Sequence, residues 1–226
     1  MIDAWSPVAD TVLARLSEAI MSGEMVAGSK ISEPEIARRY GISRAPLREA
    51  IRRLEERSLV TRVPRQSARV VSLTPGRIRQ VFVIREAIEG MAAREAAMHI
   101  DEEEVARLKA SLERQREASD ASGAYPFKNL DTDYHGAIAQ ASRNEFLVKF
   151  LREDYQALVE ICRRRQRASA ERARQSLVEH QRIVEALAAR DADLAEMLMR
   201  RHVAASRDHL LQHLSAPTTT KQEKNR

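Results

Sequence analysis

Strand-forming sequence is confined to one short stretch of this 226-residue chain. Residues 59–63 and 68–73 are rich in β-branched residues that roughly alternate with polar ones, and a proline-containing turn, residues 64–67, joins them. Elsewhere apolar residues recur at helical spacing, and the chain has only 7 glycines and 7 prolines to interrupt helices. The sequence therefore predicts a mainly α fold with a single two-stranded hairpin.

Three helices are predicted before the hairpin, over residues 7–22, 32–40 and 44–57. A serine precedes the first and third helices as a capping residue, and the pattern from Ser32 to Glu35 is that of a capping box. Gly23 and Gly41 end the first two helices. Because only residues 41–43 separate the second helix from the third, we expect a helix-turn-helix, with the hairpin following it as a wing.

Strand signals disappear after residues 74–76, which form the predicted linker. We therefore expect two domains, residues 1–75 and 76–214, the second an all-α antiparallel bundle of about six helices. The polar tail, residues 215–226, lacks periodicity and is expected to be disordered. The predicted bundle helices cover residues 77–98, 101–119, 126–142, 144–166, 169–189 and 191–214.

Positive charge is concentrated around the predicted helix-turn-helix. The whole chain has a net charge of +5, whereas residues 38–69 alone hold ten arginines and three glutamates, a net charge of +7. Charge of this kind fits either a solvated helical face or a surface that binds nucleic acid. The pattern alone leaves both interpretations open.

The first residues of the second helix of a helix-turn-helix enter the major groove, where arginine donates two hydrogen bonds to guanine. Arg44 and Arg48 lie four residues apart at this position, opposite the apolar face of the helix. Ser43 and the first backbone amides are expected to hold a phosphate. Further phosphate neighbours are predicted to be Arg38, Arg52 and Arg53.

The runs 20–24, 31–37 and 40–55 together resemble the DNA-binding domain of GntR-family transcription regulators, and the resemblance extends over residues 7–73. It implies a winged helix-turn-helix that binds DNA. Two positions depart from the family pattern: Ala45 stands where many relatives have a DNA-contacting threonine, and Ser67 replaces the usual glycine of the wing tip. Arg65 and Gln66 are predicted wing contacts by charge and reach.

Four candidate metal ligands fall at related positions in the predicted bundle. Asp131 and His135 are four residues apart on one helical face. His180 and His202 each lie about 15–17 Å from the turn at residues 190–191, so an antiparallel pair of helices brings them to one level. Apolar neighbours place both histidines toward the interior, where they are either core residues or ligands of Zn, Ni, Mn or Fe.

The motifs around these four residues resemble the FCD domain, the ligand-binding domain of the FadR-like branch of GntR regulators. The resemblance covers about residues 79–214. It implies that Asp131, His135, His180 and His202 bind a divalent metal, with zinc the first choice. It also implies that Arg85 and Asn144 contact an effector.

Four protein ligands leave an octahedral ion two positions for water or for carboxylate oxygens. We therefore expect the effector to be an organic acid, such as a hydroxy, keto or sugar acid. The leading interpretation is a homodimer that binds a near-palindromic DNA operator under the control of this effector. Two alternatives are a metalloenzyme and a regulator for which the metal itself is the signal.

The remaining titratable residues receive structural interpretations. Cys162 is the single cysteine and is expected to be buried. The arginine-rich stretch 163–174 is expected to be a solvated helix end and loop, with a contact to DNA or to the other domain as the alternative. Since the sequence shows neither a secretion signal nor an apolar run of membrane-spanning length, we expect a cytoplasmic protein. Surface or interface positions are expected for His99, His209 and His213.

Overall fold

The computed structural model describes residues 7–62, 66–122, 130–154, 156–166 and 170–215, and gives only the backbone of residues 118–122, 130–133, 153–154, 163–166, 170 and 215. Within these ranges a π-helical turn, Phe150–Asp154, lies between the seventh and eighth of ten α-helices. The elements are α1 (Pro7–Ser22), α2 (Glu33–Tyr40), α3 (Arg44–Glu56), β1 (Val60–Thr61), β2 (Arg69–Val70), α4 (Pro75–His99), α5 (Glu102–Ser122), α6 (Leu130–Ala141), α7 (Glu145–Lys149), α8 (Gln156–Gln166), α9 (Ala170–Ala188) and α10 (Ala192–Ser215).

The first three helices form the predicted helix-turn-helix with a supporting helix. Leu47, Ile51 and Leu54 recur at helical spacing on α3, and all three are fully buried in the core shared with α1. Gly41 ends α2 with a left-handed backbone (φ 63°), a conformation that glycine adopts without steric cost. The turn between α2 and α3 therefore follows directly from the local sequence.

The wing is shorter than predicted. Val60 pairs with Val70 and Thr61 with Arg69 in an antiparallel register, so each strand has two residues. The backbone of residues 68–70 bonds mainly to the segment 28–31: the amide of Ile31 donates to the carbonyl of Ala68 at 2.8 Å, and the amide of Gly28 donates to that of Val70 at 3.0 Å. Residues 68–70 thus bond on one edge to a segment far away in the sequence, while the amide of Val71 donates to the carbonyl of Leu59 on the hairpin side.

Two long antiparallel helices, α4 and α10, form the centre of the bundle. Their approach is close at Gly90, where an added Cβ would lie 2.7 Å from Cγ of Arg200. The inner face of α4 carries Ile78, Phe82 and a row of small alanines, which are fully buried. Helices α6 and α9 pack against this pair, so that α4, α6, α9 and α10 surround one interior region.

The mainly α fold with a two-stranded wing is confirmed, and the bundle helices begin and end close to their predicted positions. The difference lies in residues 144–166, predicted as one helix, where the π-helical turn separates α7 from α8. The division into domains at residue 75 stays a prediction, although Thr74 caps α4 by accepting a hydrogen bond from the amide of Arg77 at 3.3 Å. The predicted disordered tail, beyond Ser215, lies outside the described residues.

Candidate functional site

The first turn of α3 presents an exposed polar face opposite its buried apolar residues. Ser43, Arg44, Ala45 and Arg48 are all exposed. Ser43 has an extended backbone, and its hydroxyl makes no capping hydrogen bond to the helix. This arrangement leaves the predicted base-reading and phosphate-binding groups accessible to a DNA groove.

Arg48 and Arg52 each form ion pairs within the protein. Nε of Arg48 donates to Oε2 of Glu33 on α2 at 2.9 Å, and the arginine side chain remains 63% exposed. Arg52 donates to Glu49 at 2.8 Å and also to Glu56 on its own helix. Exposed pairs of this kind contribute little free energy, so contact with DNA can replace them at small cost.

Other predicted DNA contacts lie around this surface. Arg38 is exposed on α2, and Gln66 and Ser67 are exposed in the turn of the wing. Arg65 lies outside the described residues. The roles of these four residues in DNA binding stay predictions.

Three histidines from three different helices meet in the interior of the bundle. His135 of α6, His180 of α9 and His202 of α10 are all buried, and one ring nitrogen of each lies within 4.8 Å of the others. The Nε2 atoms of His180 and His202 are 3.3 Å apart. The structure therefore brings together His180 and His202, which helical spacing placed at one level, and His135 from a third helix.

On its Nδ1 side, the His202 ring contacts Glu179, which is itself paired with Arg172. Its Nδ1 atom lies 2.7 Å from Oε2 of Glu179. Arg172 donates from Nη1 and Nη2 to the two carboxylate oxygens of Glu179, at 2.9 and 2.7 Å. A third hydrogen bond, 2.9 Å long, runs from Nη2 of Arg172 to Oγ of Ser206.

The pKa values of Glu179 and His202 are both lower than usual. Burial tends to raise the pKa of Glu179, but its hydrogen bonds with His202 and Arg172 outweigh burial and lower it to about 2. Burial lowers the pKa of His202 to about 4, against the opposing effect of Glu179. At neutral pH Glu179 is thus ionised and His202 is neutral, the form of imidazole that binds metals.

A second glutamate–arginine pair, Glu89 and Arg85, lies beside His135. Oε2 of Glu89 on α4 is 2.9 Å from Nδ1 of His135, and Oε1 of Glu89 accepts a hydrogen bond from Nε of Arg85 at 2.6 Å. The Arg85 guanidinium also lies over the ring of Phe82, 4.7 Å from its centroid. Arg85 is therefore buried near the cluster, but its described contacts are with the protein, and the predicted effector contact stays a prediction.

Tyr134 forms one wall of the histidine cluster. Its ring stacks on that of His180 with centroids 4.2 Å apart, and its hydroxyl donates to the backbone carbonyl of His180 at 3.0 Å. Oγ of Ser176 lies 3.5 Å from Nε2 of His180. These contacts fix the position of the His180 ring between α6 and α9.

Two predicted site residues are not seen in the cluster. Asp131 falls on α6 one turn before His135, but its side chain lies outside the described residues. Oδ1 of Asn144 caps α7 by accepting hydrogen bonds from the amides of Phe146 and Leu147, at 3.1 and 3.2 Å. These contacts give Asn144 a structural role at the start of α7, and its predicted effector contact stays a prediction.

Sequence reasoning assigned no site role to Arg172. The expectation that residues 163–174 form a solvated stretch is wrong for Arg172, which is 5% exposed. A signal was present, because Arg172, Ser176, His180 and Ile183 recur at helical spacing on the buried face of α9. No site role was predicted for Glu179 either.

The remaining histidines lie away from this cluster. His99 is exposed, and its Nδ1 atom bonds to the carbonyl of Glu95 in the preceding turn. The rings of His209 and His213 are adjacent on α10, with centroids 4.1 Å apart. Cys162 is buried, as expected.

Two family models match this chain, one in its N-terminal part and one in its C-terminal part. The model described as bacterial regulatory proteins, gntR family, matches residues 8–70, and that of the FCD domain matches residues 80–205, more than half of the chain. The chain belongs to the GntR family of bacterial regulators and carries an FCD domain. The resemblance identified from the sequence is confirmed.

The relatives of this GntR regulator are themselves transcription regulators. It is 30% identical to the uncharacterized HTH-type transcriptional regulator YdhC of Bacillus subtilis over 201 residues, which cover 88% of each chain. It is 29% identical to the HTH-type transcriptional repressor RspR of Escherichia coli over 87% of its own length and 86% of that protein's. A probable D-xylose utilization operon transcriptional repressor of Paenarthrobacter nicotinovorans is 32% identical over 82% of this chain and 81% of the relative.

Solved structures show the same fold at lower sequence identity. E. coli McbR/YncC superposes on the GntR regulator with a TM-score of 0.72 and 19% identity, covering 92% of this chain and 99% of the other. A GntR regulator from Rhodococcus sp. RHA1 gives a TM-score of 0.71 and 20% identity with the same coverage.

The family and the relatives make this protein a DNA-binding transcription regulator and not an enzyme. Among the described helices, none combines the length and apolar character needed to cross a membrane.

Proposed function

We propose that this GntR regulator binds a divalent metal through Asp131, His135, His180 and His202, and that an organic acid bound there controls its affinity for DNA. The observation that carries the proposal is the convergence of three buried histidines from α6, α9 and α10. Zinc is the first choice of metal, and nickel, manganese and iron suit the same ligands. The ion would supply positive charge and open coordination positions for carboxylate oxygens.

The distances between the histidines fit a shared ion. Two imidazole nitrogens bound at about 2.0–2.1 Å with angles between 90° and 110° are about 2.8–3.4 Å apart. The 3.3 Å between the Nε2 atoms of His180 and His202 lies in this range. His135 needs only a small shift, since its ligand atom is within 4.8 Å of the other two and the largest separation across one ion is about 4.2 Å.

Charge supports an anionic effector. The two buried arginines near the cluster, Arg85 and Arg172, are each paired with a glutamate, so neither adds net charge to it. A divalent ion with one aspartate ligand would leave a net positive centre, which a carboxylate neutralises. Of the two predicted effector contacts, Arg85 has the better support. It donates a hydrogen bond to Glu89, and Glu89 lies beside His135.

The domain division gives each half a separate task. We propose that residues 1–75 bind DNA through α3 and the wing, and that residues 76–214 bind metal and effector. The two regions meet at α8, where Ile161 lines a cavity with Ile20 of α1 and Val71 beside the wing. A shift of α8 on effector binding would therefore reach the DNA-binding region directly, and the resulting coupling is reciprocal.

We further propose a homodimer that binds a near-palindromic operator in the cytoplasm, where bacterial DNA lies. The neighbouring helices α4 and α10 leave several apolar side chains exposed to solvent, which a second copy would cover. These side chains are Val83, Ile84, Met91, Met98, Leu194 and Met197.

The experiment starts with selection of an operator from random DNA. Operator affinity is then measured by fluorescence anisotropy for chelator-treated and zinc-loaded protein, with and without a panel of hydroxy, keto and sugar acids. We expect an acid to change operator affinity only when zinc is present, and the effect to disappear in His202→Asn but not in the control His99→Asn. A response to zinc that no acid alters would favour the metal as the signal, and no response to either would refute the proposal.

A further inference from the structure

We propose that Glu179, held by Arg172, is the residue that positions His202 for metal binding, by accepting a hydrogen bond from its Nδ1–H group so that Nε2 faces the cluster with a lone pair. This inference rests on the metal centre proposed above. It assigns a role to two residues that do not belong to the predicted ligand set.

The direction of the His202 ring is the first support. Nδ1 points to Oε2 of Glu179 at 2.7 Å, while Nε2 lies 3.3 Å from Nε2 of His180. A metal ligand needs an unprotonated nitrogen, and the second ring nitrogen of such a histidine commonly donates to a carboxylate. Nη2 of Arg172 also lies 3.4 Å from Nδ1, but the Glu179 carboxylate is nearer and can accept a hydrogen bond from Nδ1–H. The contacts of the two ring nitrogens therefore match these two tasks.

The position of Glu179 is itself fixed from outside the cluster. Arg172 donates to both of its carboxylate oxygens, and Nη2 of Arg172 also reaches Oγ of Ser206 at 2.9 Å and the carbonyl oxygen of His202 at 3.3 Å. Both arginine and histidine are buried, and Glu179 is partly buried. The carboxylate therefore cannot turn away from His202 without breaking a two-point hydrogen-bonded pair.

A second chain of contacts from an arginine through a glutamate to a histidine is found at His135. Glu89 lies 2.9 Å from Nδ1 of His135, and Arg85 donates to Glu89 at 2.6 Å. Two arginine–glutamate pairs, from α4 and from α9, thus approach two of the three histidines on the Nδ1 side. A single such pair suits core packing, whereas two that approach separate histidines of one cluster suit a shared ligand.

Glu179→Gln tests the inference with little change in volume. The side-chain amide introduced by this substitution must point its NH2 group at either Arg172 or His202, and both of those groups donate to the carboxylate now. We expect the zinc affinity, measured by chelator competition, to fall by about 10- to 100-fold. The matched control is Glu185→Gln, an exposed position on the same helix, where we expect no change.

A second readout separates positioning from packing. In metal-free protein, long-range ¹H–¹⁵N correlation spectra report which ring nitrogen of His202 carries the proton. We expect the Nδ1–H form in wild type and a loss of that form in Glu179→Gln. Should that variant unfold, Glu179→Asp keeps the charge but withdraws the carboxylate by about 1.5 Å, and we expect the same two changes in smaller degree.

The outcomes are distinct. A folded Glu179→Gln protein with wild-type zinc affinity and the wild-type His202 tautomer would overturn the positioning role while leaving the metal centre intact. A wild-type protein that binds no zinc would overturn the metal centre, and the tautomer spectra would then still show whether Glu179 directs the ring.

Discussion

Replacing Arg48 with alanine tests the DNA-binding surface at its central residue. Arg48 is exposed on the first turn of α3, at the position where a helix-turn-helix reads base edges. A bidentate contact between arginine and guanine contributes about 1–3 kcal/mol of discrimination. We therefore expect Arg48→Ala to weaken operator binding by roughly 5- to 150-fold and to relax the base preference at one position.

The ion pair with Glu33 modifies this estimate. DNA contact must release Arg48 from Glu33, and an exposed pair of this type contributes about 0–1 kcal/mol. The measured loss should therefore fall in the lower part of the range. For the same reason the substitution should lower the free energy of unfolding by less than about 1 kcal/mol, so reduced binding cannot be attributed to unfolding.

The assay is fluorescence anisotropy with labelled operator and with scrambled DNA at one fixed salt concentration, because phosphate contacts make all affinities depend on salt. Arg107→Ala is a matched control: Arg107 is 58% exposed and pairs with Glu103 on its own helix, far along the chain from α3. Equal operator affinities of Arg48→Ala, Arg107→Ala and wild type would refute the assignment of Arg48 to base reading.

Three further predictions concern stability and the metal. Ile51→Ala should lower the free energy of unfolding by about 2–5 kcal/mol in urea titration, because Ile51 is fully buried, whereas Val26→Ala at a 66% exposed position should change little; similar losses for both would contradict the packing described for α3. Arg172→Met should lower the free energy of unfolding by up to about 3 kcal/mol, because the partly buried carboxylate of Glu179 loses its paired guanidinium. Arg174→Met, at an exposed position, serves as the control in the same titration. Zinc at 100 times its dissociation constant should stabilise the folded protein by about 2.7 kcal/mol in thermal melting. Chelator should remove that gain, and a gain of equal size in His202→Asn would show that the zinc binds elsewhere.

Local signals were sufficient for the helix-turn-helix. Gly41 and Ser43 mark the ends of α2 and α3, and the spacing of Leu47, Ile51 and Leu54 specifies which face is buried. The wing was predicted less well: its strands are shorter than expected, and the pairing of residues 68–70 with residues 28–31 was not foreseen. A pairing between segments so far apart in sequence leaves no trace in strand periodicity.

The meeting of His180 and His202 was predictable because it depends on their distances from one turn. His180 and His202 lie at nearly equal distances from residues 190–191, so antiparallel packing of α9 and α10 makes them meet. The residues that hold them were not predictable in this way. A buried Arg172 contradicts the general preference of arginine for the surface, and its burial depends on partners on both α9 and α10.

The motif around Asn144 shows a different limit. An asparagine one residue before a helix is a common capping residue, and its local hydrogen bonds to Phe146 and Leu147 follow from that position alone. The resemblance gave this residue an effector role, which stays a prediction, while its capping role was not foreseen. Arg85 is buried, and its pairing with Glu89 was not foreseen.

The most direct test of the proposed metal centre is a crystal of zinc-replete protein measured on both sides of the zinc absorption edge. We predict one anomalous peak per chain, between the Nε2 atoms of His180 and His202 and within reach of His135 and Asp131. A zinc-replete crystal without a peak at this position, or with its only peak at His209 and His213, would contradict the account.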